Sequence, residues 1–331
     1  MKCLNKITKN KSFTLIFCII YSVFICGCKS TTYELPYETN NYASSFNVIS
    51  GQKSDVAILF AEDLCVTDKD VYDESILTTQ DYGTALLFDV SDGEVIFAKD
   101  IHKKVSPASL TKILTAVTAL KYAKPDTVLT ATNAVYIHES GAQLCGIEPG
   151  DSMTLNQALY IALTNSANDA AMLIAENVGG SVDNFVAMMN EEAKSLGATN
   201  SNFVNPHGLT DENQYTTAYD LYLILNEAVK NEKIVEIIQT QSYTTTYYDR
   251  SGKPKEISVR NTNKYVNGDV KEPENVDVIG GKTGTTNAAG HCLMIMARDR
   301  NGSPYIGIIM KAGSRDNLYA QMTVLLEEIA K

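Results

Sequence analysis

The stretch Ser106-Pro107-Ala108-Ser109-Leu110-Thr111-Lys112 opens a helical pattern that continues with apolar residues at Ile113, Leu114, Val117 and Leu120. That spacing marks one buried helix face. Pro107 suits a first helical turn, where its missing N–H costs nothing, and Ser106 suits the N-cap. Upstream, Thr84-Ala85-Leu86-Leu87-Phe88-Asp89 and Glu94-Val95-Ile96-Phe97-Ala98 read as strands, with hairpin turn chemistry at Ser91-Asp92-Gly93 between them. Downstream, the pattern predicts helices over 155–164 and 169–178, with Asn165-Ser166-Ala167-Asn168 at their junction, then helices over 182–196 and 218–230. The last third returns to apolar, β-branched runs at 276–279, 292–297 and 305–311, with 299–304 as a turn and a closing helix from about 316 to 330. Strands at both ends around a helical middle imply an α/β (α+β) fold: one antiparallel sheet flanked by helices, with a helical lobe inserted. There is no internal repeat.

Three short motifs stand in order along this frame: Ser109-Leu110-Thr111-Lys112 (S-x-x-K), Ser166-Ala167-Asn168 (S-x-N) and Lys282-Thr283-Gly284 (K-T-G). Each alone is a weak signal. Together, each in its expected setting, they point to nucleophilic catalysis. Ser109 and Lys112 stand at i and i+3 of a helix and share a face, about 5–6 Å apart at Cβ. A serine hydroxyl needs an adjacent base. An ammonium cannot serve, but a Lys in a poorly solvated site, with Lys282 as a second cation nearby, has its pKa pulled below the usual value. Backbone N–H groups left free at the helix start suit an oxyanion. Ser166 is placed to pass a proton between Lys112 and a leaving nitrogen, and Asn168 to bond a substrate amide. The K-T-G segment follows a predicted strand, whose edge can pair with an extended peptide while Lys282 and Thr283 reach its terminal carboxylate.

The chain has 331 residues, 44% hydrophobic and 20% charged, with 28 Lys and Arg against 39 Asp and Glu. A net charge of −11 argues against nucleic acid as a partner, since phosphate neutralisation requires a basic face. Lys2, Lys6, Lys9 and Lys11 precede an apolar run over 13–25, shorter than a membrane-spanning helix and suited to a signal peptide. The run ends at Phe24-Ile25-Cys26-Gly27-Cys28. Cleavage before a lipidated Cys28, plain secretory cleavage and an uncleaved anchor are all compatible with it. On the first reading, residues 1–27 are a lipoprotein signal, 28–54 a tether and 55–331 the catalytic domain. Of seven Cys, only Cys65, Cys145 and Cys292 lie in the body, so at most one disulfide forms there. Cys292, in an apolar run, reads as a small core residue. His102, His138, His207 and His291 are too scattered for a metal pair, and neither metal nor cofactor is expected.

The stretches 106–112, 165–171 (NSANDAA), 202–221 (NFVNPHGLTDENQYTTAYDL) and 280–293 (GGKTGTTNAAGHCL) resemble the serine D-alanyl-D-alanine carboxypeptidase family of low-molecular-weight penicillin-binding proteins, over about residues 80–315. The residues before Cys28 resemble a lipobox, except that Cys26 stands where Ala or Ser is usual. The resemblance implies the penicillin-recognising serine hydrolase fold and removal of the terminal D-Ala from peptidoglycan pentapeptide stems, with β-lactams as inhibitors. Carried over, Ser109 is the acylated nucleophile and Lys112 its base. Ser166 and Asn168 form the second element, and Lys282, Thr283 and Gly284 the third. The N–H groups of Ser109 and Thr285 form the oxyanion hole. His207 belongs to the family pattern as a structural residue, and Arg315 is near where members often place an Arg for the substrate carboxylate. Many members carry a further β-rich domain and an anchor helix, whereas here Gly284 is followed by room for two strands and a helix. Lipid on Cys28 would replace that anchor and hold the protein on the extracytoplasmic face of the cell membrane. The rivals are a class A β-lactamase, a DD-endopeptidase and a lipoprotein that binds stem peptides without catalysis. The β-lactamase requires a Glu-activated water, and the stretch 202–217 offers only Asp211 and Glu212, without the expected pattern.

Overall fold

Side chains alternate across a strand, so a strand apolar on both faces must be covered on both. The first strand, Thr84–Asp89, is of that kind: Ala85, Leu86, Leu87 and Phe88 are all fully buried. The computed structural model, which describes residues 64–77 and 83–331, places this strand inside a sheet packed on both sides. The expected signal, Cys28, the tether and the start of the 55–331 domain lie outside the described residues.

In chain order the strands are β1 (Thr84–Asp89), β2 (Glu94–Lys99), β3 (Val128–Thr130), β4 (Ser152–Thr154), β5 (Ser242–Tyr248), β6 (Pro254–Arg260), β7 (Val276–Thr286), β8 (Gly290–Asp299) and β9 (Pro304–Ala312). The helices are α1 (Thr111–Tyr122), α2 (Leu155–Thr164), α3 (Asn168–Gly179), α4 (Val182–Ser195), α5 (Ala218–Ala228), α6 (Glu232–Ile238) and α7 (Arg315–Glu327). A five-stranded antiparallel sheet runs β2-β1-β9-β8-β7, joining the two ends of the described chain around the helical middle as expected. Leu86 and Phe88 face a core shared with Leu221, Tyr222 and Ile224 of α5, where the Phe88 and Tyr222 rings meet edge to face at 4.8 Å. Ala85 and Leu87 face the other core, closed by Leu318, Met322 and Leu325 of α7. β7 is an edge of this sheet.

The predicted helices over 155–164 and 182–196 fall at α2 and α4, and α3 and α5 lie where 169–178 and 218–230 were expected. Three features differ. A second sheet, β3-β4-β5-β6, flanks the helical lobe. The strand expected at 276–279 continues through the K-T-G residues to Thr286. Ser106 does not cap the first helix: its hydroxyl is buried without a partner, and the helix begins as a 3-10 turn over Ala108–Leu110. The physical reason is the backbone at Ala108, whose φ of 46° is left-handed and turns the chain sharply into the helix.

The segment 202–217 is pinned at its ends by bridges Asn202↔Tyr215 and Val105↔Thr216, and it lies against that turn. Gly208, at φ +90°, sits where an added Cβ would be 1.8 Å from the Ala108 carbonyl oxygen. Gly208→Ala combines a left-handed backbone with a clash on a buried turn, and urea denaturation should show a loss of at least about 2 kcal/mol. A variant as stable as the wild type would show that the turn is not held this tightly.

Candidate active site

Ser109 lies in the 3-10 turn and Lys112 in the first turn of α1, so the i, i+3 pairing expected from sequence places both side chains together. α1 is buried along nearly its whole length, from Thr111 to Ala119, and Lys112 is carried into that interior at 1% exposure. Its Nζ lies 2.9 Å from Ser109 Oγ, 2.7 Å from Asn168 Oδ1 and 2.6 Å from the His207 carbonyl oxygen. A neutral amine has two N–H bonds and one lone pair. In that form Asn168 Oδ1 and the His207 carbonyl would accept the two N–H groups and leave the lone pair facing Ser109 Oγ; an ammonium would instead donate to all three oxygens. Burial holds the Lys112 pKa well below its ordinary 10.5, the Lys282 charge lowers it further, and Asp169 pulls the other way.

Lys282, also 1% exposed, is pushed down to about 7 by burial. Its Nζ donates to Ser166 Oγ at 2.9 Å and to the Thr283 carbonyl at 2.8 Å. The Ser166 hydroxyl, expected to pass a proton between Lys112 and a leaving nitrogen, is thus held by Lys282. Both partners of Lys282, Ser166 and Thr283, belong to the cleft beside Ser109. Thr285 and Arg315 also line it, and Lys282 reaches it through Ser166. Ser166 itself is held at φ 63° at the junction of α2 and α3, a conformation costing about 1–3 kcal/mol that only a well-determined surrounding maintains.

Ser109, Ser166, Asn168, Thr283, Gly284 and Thr285 line one cleft of about 440 Å³. Gly284 is needed for this approach, because an added Cβ would lie 3.0 Å from Ala108 Cβ and 3.1 Å from Ser109 N. The Thr283 hydroxyl is held at 2.6 Å from Thr262 Oγ1. His207 is 8% exposed and acts through its carbonyl. Its ring, pushed down to about 3 by burial and, whenever Lys112 is protonated, by that charge, stays neutral, and its Nδ1 accepts from the Leu209 N–H at 3.1 Å. Sequence reasoning missed the cleft wall at Gly141, Ala142 and Gln143, the Thr262 hydroxyl, and His291, whose Nδ1 lies 3.2 Å from Thr285 Oγ1. Apart from the two glycines framing the loop (Gly141, Gly146), nothing in the sequence signalled that wall. Cys65, Cys145 and Cys292 are all free thiols, and Cys292 is a fully buried core residue.

Residues 73–314 match the peptidase S11 family, D-alanyl-D-alanine carboxypeptidase. The D-alanyl-D-alanine carboxypeptidase DacF of Bacillus subtilis is 34% identical over 252 residues, covering 74% of this chain and 61% of its own. A D-alanyl-D-alanine endopeptidase of Pseudomonas aeruginosa is 30% identical over 244 residues, 73% of this chain and 75% of its own. The crystal structure of the Streptomyces K15 DD-transpeptidase superposes with a TM-score of 0.69 at 26% identity, covering 75% of this chain and 97% of that one. The chain thus spans about three-fifths of the first of these relatives.

If Lys112 is a neutral base, Lys112→Arg, whose charge is permanent, should slow acylation of Ser109 by about 10²–10⁴-fold. In the wild type, protonation of Lys112 removes the lone pair. The rate should therefore fall as pH drops through the lowered Lys112 pKa, by about tenfold per unit below it. Stopped-flow acylation measures both, and a wild-type rate flat from about pH 5 to 9 would contradict the assignment.

Proposed function

The chain belongs to the serine D-alanyl-D-alanine carboxypeptidase family, and from that membership we propose that it releases the terminal D-Ala from peptidoglycan pentapeptide stems through an acyl-enzyme on Ser109. The observation that carries this is the Lys112 amine, buried beside Ser109 with its N–H groups occupied by Asn168 and His207. An extended peptide added to the β7 edge would bring its penultimate carbonyl over Ser109. Lys112 takes the Ser109 proton as Oγ attacks, the N–H groups of Ser109 and Thr285 receive the developing oxyanion, and the proton passes to the leaving nitrogen past Ser166. The Thr283 and Thr285 hydroxyls and Arg315 offer the terminal carboxylate its donors.

The fate of the acyl-enzyme separates this reading from a β-lactamase. A departed D-Ala vacates space for water beside Lys112. A β-lactam keeps its leaving nitrogen tethered, so turnover requires a separately placed Glu. Among the cleft-lining residues the carboxylate is Asp269, bonded to Arg260 at 2.9 Å, and Asp211 and Glu212 are exposed and do not line the cleft. The protein freed of residues 1–28 should therefore release D-Ala from a pentapeptide and stay trapped by penicillin for minutes or longer. Ser109→Ala should abolish both reactions. Rapid multiple turnover of penicillin without D-Ala release would overturn the reading. Relatives named as endopeptidases make cross-linked D-alanyl bonds a second substrate to assay in the same experiment.

We also propose that lipid on Cys28 holds the enzyme on the extracytoplasmic face of the membrane, where its substrate lies. The basic, apolar and lipobox-like order of the first 28 residues supports this. Cys28→Ser should move the protein to the soluble fraction with penicillin binding unchanged. Continued membrane association of that variant would point to an uncleaved apolar segment over 13–25.

A further inference from the structure

The segment between residues 136 and 151 contains no helix or strand, yet its residues Gly141, Ala142 and Gln143 form one wall of the cleft. Apolar packing anchors it only at its far end, where Ile147 is buried in the core with Cys145 beside it. Tyr136 and Leu144 are 54% and 42% exposed, and Gly141 and Gly146 take left-handed conformations (φ +81° and +77°) with open space where a Cβ would stand. The wall is instead gathered onto the first turn of α3. The Asp169 carboxylate, 2% exposed, accepts from three consecutive backbone N–H groups: Cys145 at 2.9 Å, Gly146 at 2.9 Å and Ile147 at 3.1 Å. It also accepts from the Ala170 N–H at 3.0 Å. Beside it the Asn168 N–H donates to the Gln143 carbonyl at 2.8 Å, and Asn165 Nδ2 donates to Cys145 Sγ at 3.2 Å.

We propose that Asp169 is a positioning residue of this active site, whose carboxylate holds the 141–147 wall in place for a peptide. This rests on the acylation chemistry proposed for Ser109 and Lys112. The carboxylate binds a concave set of N–H groups that an unbound loop would present to water. Asn168, one residue away, holds both the wall (through its N–H) and Lys112 (through Oδ1), so wall and base are set by adjacent residues of one helical turn. Four titratable groups surround the pair: Lys112 on α1, Lys282 on β7, Cys145 in the wall and His207 behind Lys112. Burial pushes Cys145 up to about 12 and His207 down to about 3, so both are uncharged near neutral pH. That leaves Asp169 and the two lysines, each pushed by burial toward its neutral form. Asp169 favours protonated Lys112, and its removal should leave the base neutral to lower pH.

Two variants of the full chain separate the roles. Asp169→Asn should raise the KM for pentapeptide about tenfold or more, within the range for a displaced positioning group, and move the acid limb of the acylation profile to lower pH. Asp169→Glu keeps the charge but sets it one methylene further out, so KM should rise while the acid limb stays. In both, amide exchange at Cys145, Gly146 and Ile147 should quicken while α1 stays protected. Exchange does not depend on activity, so a wild type that fails to label with penicillin would defeat the acylation reading and leave the wall measurable. Unchanged KM, acid limb and exchange in Asp169→Asn would overturn the proposal. Global unfolding of both variants would also overturn it, by reducing Asp169 to a fold residue.

Discussion

Lys112 places its amine in the protein interior with three oxygens as hydrogen-bond partners, none of them a carboxylate. Burying an ammonium without a contacting counter-ion is expensive, and that penalty favours the neutral amine. Much of the local architecture serves this one condition. α1 is buried on nearly all sides, the His207 carbonyl arrives on a segment whose Gly208 lies flat against Ala108, and Asn168 arrives from the start of α3. Lys282 contributes a second buried amine whose charge, when present, keeps Lys112 from taking one.

The same condition weighs on stability. For Lys282 the folded pKa of about 7 lies below the ordinary 10.5, so between those values the unfolded chain binds a proton that the folded chain refuses. Folding stability linked to that group is therefore lowest below about pH 7 and rises through this window. Lys112, also lowered, acts in the same direction. Strained backbone at Ala108 and Ser166 adds to the burden. The offset comes from the sheet, covered on both faces by apolar side chains that take no part in the chemistry.

The sequence made the site's ingredients legible because motif spacing and helical periodicity agree. Leu110, Ile113, Leu114 and Val117 announce the helix that carries Ser109 and Lys112, and all four are buried. Other features had no comparable signal. β5 and β6 are exposed or half-buried at all but one position each, so they lack the apolar alternation that marks a strand. β7 runs on through Gly280-Gly281-Lys282-Thr283-Gly284, a glycine-rich polar stretch that reads as the end of a strand. Which hydroxyl each lysine holds depends on how α1, the α2–α3 junction and β7 converge, and motif order carries no such information. Ser106 misled because its residue type suits a cap, whereas the left-handed Ala108 directs the chain elsewhere.

The chemistry at Ser109 depends above all on Lys112 resting as a neutral amine. Side-chain nitrogen NMR of the ¹⁵N-lysine-labelled protein, with Lys112 assigned by its Arg variant, counts the protons on that nitrogen directly. A neutral base predicts two attached protons on Lys112 Nζ at neutral pH, with a third gained only on acidification. Three attached protons at neutral pH would contradict it.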